Sequence, residues 1–265
     1  MSEHGGERPR LSAAIIARDE AERLPDCLAS LRGLADEIVV LDTMSADATP
    51  DIARRAGARV ERHAFEGFGP SKQRSVDLAT GTWVLSIDAD ERVTPALAAE
   101  IRRVIASADA AAGYEVRWEV YFLGHRMRFG GLGSKWVLKL FRRDAARFTD
   151  EPIHEHVRVT GRIARLRTPL QHHTVRHISE YLSKLVRLER EAAIRARELA
   201  ARGKRPRWWD VLRLPINFFL YAVLRLGVLD GVPGLIWAAG SAYLSWRRRD
   251  LLRARPAAGP GPPLP

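Results

Sequence analysis

Three carboxylates fall within four residues, at Asp88, Asp90 and Glu91, directly after an apolar run over residues 83–87 that only Ser86 interrupts. A run that short, bounded by Gly81 and Thr82, reads as a buried strand. Unpaired carboxylates are costly inside a core, so these are expected at the sheet's edge, where a cation, a partner base or water meets them. Asp88 and Asp90, two residues apart on a strand end that bends, can both reach one hard divalent cation, directly or through water. Mg²⁺ takes one or two protein carboxylates and completes its octahedron with water and substrate phosphates. The plainer reading is a solvated acidic turn ahead of a helix, with Thr94 as N-cap and Pro95 as first helical residue.

The elements that must hold this turn alternate in type. Leu11–Ala17 reads as a strand, 20–31 as a helix with Leu24, Cys27, Leu28 and Leu31 on one face, and 37–41 as a second strand. A short helix over 49–56 stops at Gly57, a third strand starts at 59–61, and 71–79 is helical. This βαβαβ order predicts an α/β fold, Rossmann-like, with a mainly parallel sheet and helices on both faces. Ligands of such sheets bind at the carboxyl ends of the strands. Polar clusters sit there: Arg18, Asp19 and Glu20 after the first strand, and Asp42 through Thr49 after the second. Asp42 follows a buried strand directly, level with Arg18 and Asp88, whereas Asp47 and Thr49 read as helix caps. No Gly-x-Gly-x-x-Gly follows the first strand and no Walker-type Gly-Lys-Ser/Thr occurs, which disfavours dinucleotide dehydrogenases and P-loop NTPases.

In the second half, strands over 114–122 and 136–141 flank a loop with Gly130, Gly131 and Gly133. No helix signal follows it, so it reads as a substrate flap rather than a phosphate cradle. Lys139, Arg142 and Arg143 put cations near the presumed cleft. His154-Glu155-His156 lacks the His-Glu-x-x-His spacing of zinc proteases. His172 is either a further metal ligand or an ordinary surface or core histidine.

The 265 residues carry a net charge of +11, unevenly. Residues 176–265 hold 17 Lys/Arg against 7 Asp/Glu, leaving 26 against 25 for residues 1–175. A basic region beside a neutral domain predicts an anionic partner, a membrane leaflet or a nucleic acid. The neutral part lacks aromatic–basic interleaving, so no nucleic acid is expected. The single cysteine, Cys27, excludes internal disulfides and a cysteine-rich zinc site and is expected buried in a helix. Residues 1–10 are polar, without an apolar signal core, and read as disordered.

From 178 to 202 the pattern is helical, with Ile178, Leu182, Leu185, Ala192, Ala196 and Leu199 on one stripe, packed or membrane-facing. Trp208-Trp209 opens the next segment. Residues 216–229 are apolar except Asn217 and Arg225, 230–234 should break the helix, and 235–246 are apolar again before Arg247-Arg248-Arg249. Each piece is shorter than the about 20 residues that span a bilayer. Flanking Trp and Arg suit helices lying in the interface or a re-entrant hairpin, and a buried helical hairpin is the other reading. The expected organisation is a catalytic domain over 11–175, a basic, membrane-associating helical region over 176–255 and a Pro/Gly-rich disordered tail over 256–265.

Four stretches then combine: Ile15-Ile16-Ala17-Arg18-Asp19-Glu20; Ile38 through Thr49; Gly67-Phe68-Gly69-Pro70-Ser71-Lys72-Gln73-Arg74; and Trp83 through Glu91. In this order and spacing they resemble family 2 glycosyltransferases, more narrowly the lipopolysaccharide core type, over roughly residues 11 to 250. Asp19 and Arg74 depart from the pattern, which commonly has Asn at both places.

The resemblance implies a GT-A-type fold, a nucleotide-sugar donor, with a UDP-sugar expected, and Mg²⁺ or Mn²⁺. Carried over by position, Arg18 and Glu20 line the nucleotide site and Asp42 accepts from the nucleobase. Asp88 contacts ribose or metal-bound water, and Asp90 ligates the metal that bridges the diphosphate. Lys72 adds positive charge near the phosphates or stands solvated at a helix start. Glu155 is the expected catalytic base, with His154 as the alternative. The resemblance further implies inverting transfer of a hexosyl or heptosyl group to a lipid-linked glycan, the lipopolysaccharide inner core, at the cytoplasmic face of the inner membrane by a peripheral or monotopic enzyme. Polyprenyl phosphate or protein is the alternative acceptor. A basic membrane- or nucleic-acid-binding module with an inert Asp-x-Asp is the alternative of another class.

Overall fold

The computed structural model describes residues 10–133, 135–149, 156–201 and 212–253. The chain divides into two compact units, Met1–Glu119 with Ser134–His173, and Val120–Gly133 with Thr174–Pro265.

The first unit begins with four strands and the helices between them: β1 (Leu11–Ala17), α1 (Leu24–Leu31), β2 (Glu37–Asp42), α2 (Thr49–Arg55), β3 (Arg59–Arg62), α3 (Phe68–Asp77) and β4 (Trp83–Ser86). The strands lie in the order β3-β2-β1-β4, all parallel. The apolar face read for α1 is the buried one, Leu24, Cys27, Leu28 and Leu31. The helix starts later than its periodicity suggests, because residues 20–23 form a turn in which Glu20 O accepts from the amides of Arg23 and Leu24. Helix α3 starts earlier, at Phe68, with Pro70 in its first turn, where a missing N–H costs nothing.

The sheet is mixed rather than mainly parallel. After β5 (Glu91–Arg92) and α4 (Pro95–Ile105), β6 (Gly113–Phe122) and β8 (Trp136–Arg142) pair antiparallel, and β8 joins β4 antiparallel. No crossover helix separates β6 from β8, so the chain returns beside itself, which a parallel pair does not permit. The short β7 (His125–Arg126), β9 (Ala146–Phe148), β10 (Val157–Val159) and β11 (Ile163–Arg165) precede β12 (Leu170–Val175), which pairs antiparallel with β5. As read from the sequence, Thr94 caps α4, its side chain accepting from Leu97 N, with Pro95 first.

Helices cover both faces. Alternate residues of β1, Leu11, Ala13 and Ile15, join α1, Ala53 of α2 and Leu97 and Ile101 of α4 in one core. Ala14, Val84 and Phe141 join Val76 of α3 on the other. Gly81 lets β4 come alongside β1, since a Cβ there would stand 2.7 Å from Ser12 Oγ and 2.8 Å from Arg10 O.

The second unit is built on α5 (Ile178–Ala201), α6 (Arg213–Phe219) and α7 (Gly231–Arg253). A wider turn, Leu220–Leu224, extends α6 and a tight turn, Gly227–Asp230, leads into α7. The break therefore lies at Arg225 and Leu226, the latter left-handed at φ 58°, and not at 230–234. Gly231, Val232, Pro233 and Gly234 instead start α7, and proline is tolerated in a first turn. Gly234 is fixed by contact, because a Cβ would lie 1.9 Å from Gly227 O.

The packed stripe of α5 keeps Leu185 and Ala192 of the expected one but not its first two residues. Tyr181 and Leu185 pack with Phe122, Met127 and Val175, whereas Ile178 and Leu182 are exposed. The Tyr181 ring meets Phe122 edge-on at 4.8 Å and lies where Gly240 of α7 has no side chain. Burial pushes its phenol up to about 12. The glycine-rich loop read as a flap is tied to the start of α7: Asp230, 2% exposed, accepts from Arg128 N at 3.0 Å and Phe129 N at 2.9 Å.

Candidate active site

At the C-terminal end of β4 the chain turns through Asp88, Ala89, Asp90 and Glu91. Glu91 N donates to Asp88 O at 2.9 Å, and Asp88 N donates to Glu91 Oε2 at 2.9 Å. Closed twice, the turn points Glu91 into the protein and leaves Asp88 and Asp90 at the rim, their side chains 32% and 20% exposed. The β5–β12 pair sets His172 opposite Glu91, and His173 N donates to Asp90 O at 2.8 Å.

The partner base anticipated for the acidic cluster is Lys139, on β8. Its Nζ lies 2.7 Å from Asp88 Oδ2 and 2.7 Å from Glu91 Oε2, while Lys72 Nζ lies 3.4 Å from Asp88 Oδ1. Trp118 Nε1 donates to Glu91 Oε1 at 2.7 Å. Burial alone would raise the Asp88 carboxyl, but the charges of Lys139 and Lys72 outweigh it and hold the group well below the usual carboxylate range. Burial would lower the Lys139 ammonium, and Asp88 and Glu91 together reverse this and hold it above the usual lysine range. Glu91, fully enclosed and facing Asp88 and Asp90, is pushed up by burial despite Lys139.

Asp90 has a different neighbour. His172 Nε2 lies 3.1 Å from its Oδ2, and the His172 ring leans on Trp118 at 4.5 Å. Burial raises this carboxyl and the hydrogen bond and charge of His172 more than offset it, so Asp90 titrates low. His172 Nδ1 is buried without a hydrogen-bond partner among the described residues.

The loops after β1 and β2 are laced together. Asp19, left-handed at φ 55°, donates its amide to Ser45 Oγ at 2.9 Å and accepts from Ala46 N at 2.7 Å. An Asn oxygen would accept the same bond, so this departure from the family pattern keeps the geometry. Asp47 Oδ2 accepts from Ala21 N at 3.1 Å and its Oδ1 from Thr49 N, the first amide of α2, at 2.9 Å, so it meets the helix start as read and also joins the loops; Thr49 Oγ1 accepts from Glu20 N at 2.8 Å and joins them without capping α2. The Glu20 side chain pairs with Arg23 at 3.1 Å, and burial raises its carboxyl against the pull of Arg23. Arg18, about half exposed, is 3.9 Å from Asp19.

Asp42, expected to accept from a base, has both oxygens engaged within the protein. Arg62 Nε donates to Oδ2 at 2.9 Å and Ser45 N to Oδ1 at 3.3 Å. Glu155 and His154 lie outside the described residues.

Among the described residues no group of three or more His, Cys, Asp or Glu side chains is arranged to hold a metal by itself. The residues present nevertheless fit a hard divalent cation that brings its own water and phosphate ligands. Asp90 Oδ1 has no partner among the described residues, on a partly exposed side chain whose other oxygen is steadied by His172. Asp88 is covered by two ammonium groups and fits that role less directly.

Sequence reasoning named Lys139 only as one cation near a cleft and missed the inward role of Glu91 and that of Trp118. The signal for Lys139 was a lysine between Leu138 and Leu140 on a buried strand, which must find anions there.

A mixed sheet of this order, with a carboxylate turn after β4, is GT-A-like. The sequence pattern described as Glycosyl transferase family 2 matches residues 12–173. The chain belongs to glycosyl transferase family 2 and is a glycosyltransferase, which removes the non-catalytic module from the possible readings. It is 28% identical over 260 residues to the lipopolysaccharide core biosynthesis glycosyltransferase LpsC of Rhizobium meliloti, covering 93% of this chain and 95% of that one. A TPR repeat-containing protein of Synechococcus elongatus is 36% identical over 155 residues, 58% of this chain and 36% of its own. The crystal structure of glucosyl-3-phosphoglycerate synthase from Mycobacterium tuberculosis with Mn²⁺, UDP and glucosyl-3-phosphoglycerate is 24% identical over 42% of this chain and 44% of its own, with a TM-score of 0.37, a partial likeness only.

Proposed function

We propose that the protein transfers a hexosyl or heptosyl group, with inversion, from a nucleotide-sugar donor, a UDP-sugar, to a lipid-linked glycan of the lipopolysaccharide inner core. The observation that carries the chemistry is the Asp88–Asp90 turn, in which one carboxylate is held by ammonium groups and the other is steadied by a histidine with an oxygen left over. The acceptor class rests on the likeness to LpsC along nearly the whole chain. Work at the cytoplasmic face of the inner membrane follows from that acceptor and from the basic region 176–265.

In this reading Asp90, steadied by its neighbour His172, would hold the divalent cation, Mg²⁺ or Mn²⁺, with Asp88 beside it. When bound, the cation neutralises charge on the leaving diphosphate as a Lewis acid. Lys139 fixes Asp88 and Glu91, so the turn keeps its shape whether or not a donor is present. Lys72 adds positive charge where the diphosphate lies, and Arg18, Glu20 and Asp42 border the nucleoside. The acceptor hydroxyl oxygen bonds to the anomeric carbon as the bond from that carbon to the diphosphate breaks. Its proton passes to Glu155, or to His154, and such a base contributes about 10²–10⁴-fold.

Calorimetry of UDP, GDP and CMP with Mn²⁺ tests this, with Asp90→Ala as control. Metal-dependent binding of UDP that the substitution abolishes is expected. Failure of all three nucleotides to bind well-folded protein would overturn the donor assignment.

A further inference from the structure

We propose that the bent element running from α6 into α7 is an interfacial wedge that inserts into one leaflet of an anionic lipid bilayer. The inference deepens the reading of a lipid-linked acceptor and rests on it for its purpose, although its observations are separate.

The first observation is exposed apolar surface concentrated in one stretch. Ile216, Phe219, Leu224, Leu229 and Val232 are 59%, 53%, 65%, 62% and 69% exposed. Scattered exposed apolar residues need no explanation, but a contiguous run marks an interaction surface. Charge is almost absent from it. Between residues 214 and 246 the only charged side chains are Arg225 and Asp230. Asp230 is buried, with Arg128 N and Phe129 N donating to it, and Arg225 holds its guanidinium 4.9 Å from the Tyr221 ring centre. No acidic group of this stretch is therefore exposed.

The second observation concerns the backbone at the bend. A broken helix in contact with hydrocarbon must satisfy its freed polar groups within the protein. Here Arg225 N donates to Leu220 O, Leu226 N to Val223 O and Leu229 N to Leu226 O, while Arg225 O accepts from Gly130 N. The break is internally bonded, as a lipid-facing bend requires.

Length decides the mode. Among the described residues no single helix is long and apolar enough to cross a membrane, and Arg213–Leu224 with Gly227–Arg247 reaches that measure only as a pair bent by 69°. A bent pair with an exposed apolar elbow suits insertion from one side. Charge decides the occupant. The elbow itself is almost uncharged, but the region from 176 onward in which it lies carries 17 Lys/Arg against 7 Asp/Glu, an excess of basic residues on both sides of it in the sequence. An anionic leaflet attracts the same charges.

The test is flotation of the full-length protein with phosphatidylglycerol-containing vesicles and with phosphatidylcholine vesicles, comparing wild type with Leu224→Glu/Leu229→Glu. Both side chains are exposed, and thermal midpoint and Mn²⁺-dependent UDP binding report on the fold and the donor site of the variant. Wild type is expected to float with the anionic vesicles, and the variant to bind them at least about tenfold more weakly with UDP binding kept. Equal flotation of the two proteins would overturn the wedge, as would wild type that stays with buffer as a dimer dissociated by the same substitutions. Leu224→Cys carrying an environment-sensitive dye removes dependence on a disruptive variant: a blue shift with anionic vesicles supports insertion and its absence overturns it. Loss of UDP binding in wild type would sink the donor assignment and leave the flotation result standing.

Discussion

Lys139 Nζ stands 2.7 Å from Asp88 Oδ2, on a side chain only 7% exposed. Removing one partner of a buried ion pair leaves the other uncompensated and costs about 3–5 kcal/mol. Lys139→Met strands Glu91 as well as Asp88, so urea denaturation should show a loss in that range. A loss below about 1 kcal/mol, the scale of a surface pair, would mean that the carboxylates find other partners.

His172→Phe tests the support of Asp90. The phenyl ring can still lean on Trp118, but the hydrogen bond to Oδ2 is gone. Groups that orient a metal-holding side chain typically contribute about 10–100-fold in metal affinity. Mn²⁺ dependence of UDP binding should weaken by that order with little change in thermal midpoint. Unchanged Mn²⁺ dependence would make His172 a packing residue.

Stability should fall on both sides of neutrality, and the groups responsible differ. Asp88 and Asp90 titrate below the ordinary carboxylate range, so their contribution is present above about pH 4 and is lost as pH falls through their folded values. Glu91 and Glu20 are raised, so their contribution is present below that range and lost as pH rises through it, which partly opposes the first pair. Lys139 is also raised, and its contribution holds below about pH 10 and disappears above. Tyr181 acts in the same window, because the unfolded phenol ionises near about pH 10 while the folded one resists to about 12. Thermal midpoints against pH should therefore show a shallower alkaline limb in Tyr181→Phe and a shallower acid limb in Asp88→Asn.

Gly81→Ala should be destabilised by about 1–3 kcal/mol, the range of overpacking, because the new methyl would meet backbone at Arg10 and Ser12. Gly133→Ala, whose nearest neighbour would be Met127 O at 3.5 Å, should stay within about 0.5 kcal/mol. Equal effects in denaturation would remove the special place of Gly81.

The parallel half of the sheet was legible because β1, β2 and β4 are short, largely apolar and punctuated, and α1 shows one unambiguous face. The antiparallel half was not, since nothing local in Trp136–Arg142 says which strand it will lie beside. At the turn, sequence spacing identified Asp88 and Asp90 but could not show that Glu91, one residue on, faces inward to Lys139, which is 48 residues away. Asp42 illustrates the converse. Its place after a strand suggested an outward role, and only the fold reveals Arg62 beside it. In α5 the stripe was right in part: Leu185 and Ala192 are covered as read, but Ile178 and Leu182 are exposed and Tyr181, outside the stripe, packs where Gly240 leaves room.

Strands β6 and β12 each leave the first unit before they end, so the hairpin between Val120 and Gly133 is inserted in the middle of the sheet's own sequence. Phe122 and Met127, on that insert, are covered by Val175, Tyr181 and Trp237 from much later in the chain. The unit that carries the carboxylate turn is thus not a cassette. No single cut frees it without uncovering those two side chains, and recombination between relatives must exchange the insert and the C-terminal helices together or leave both in place.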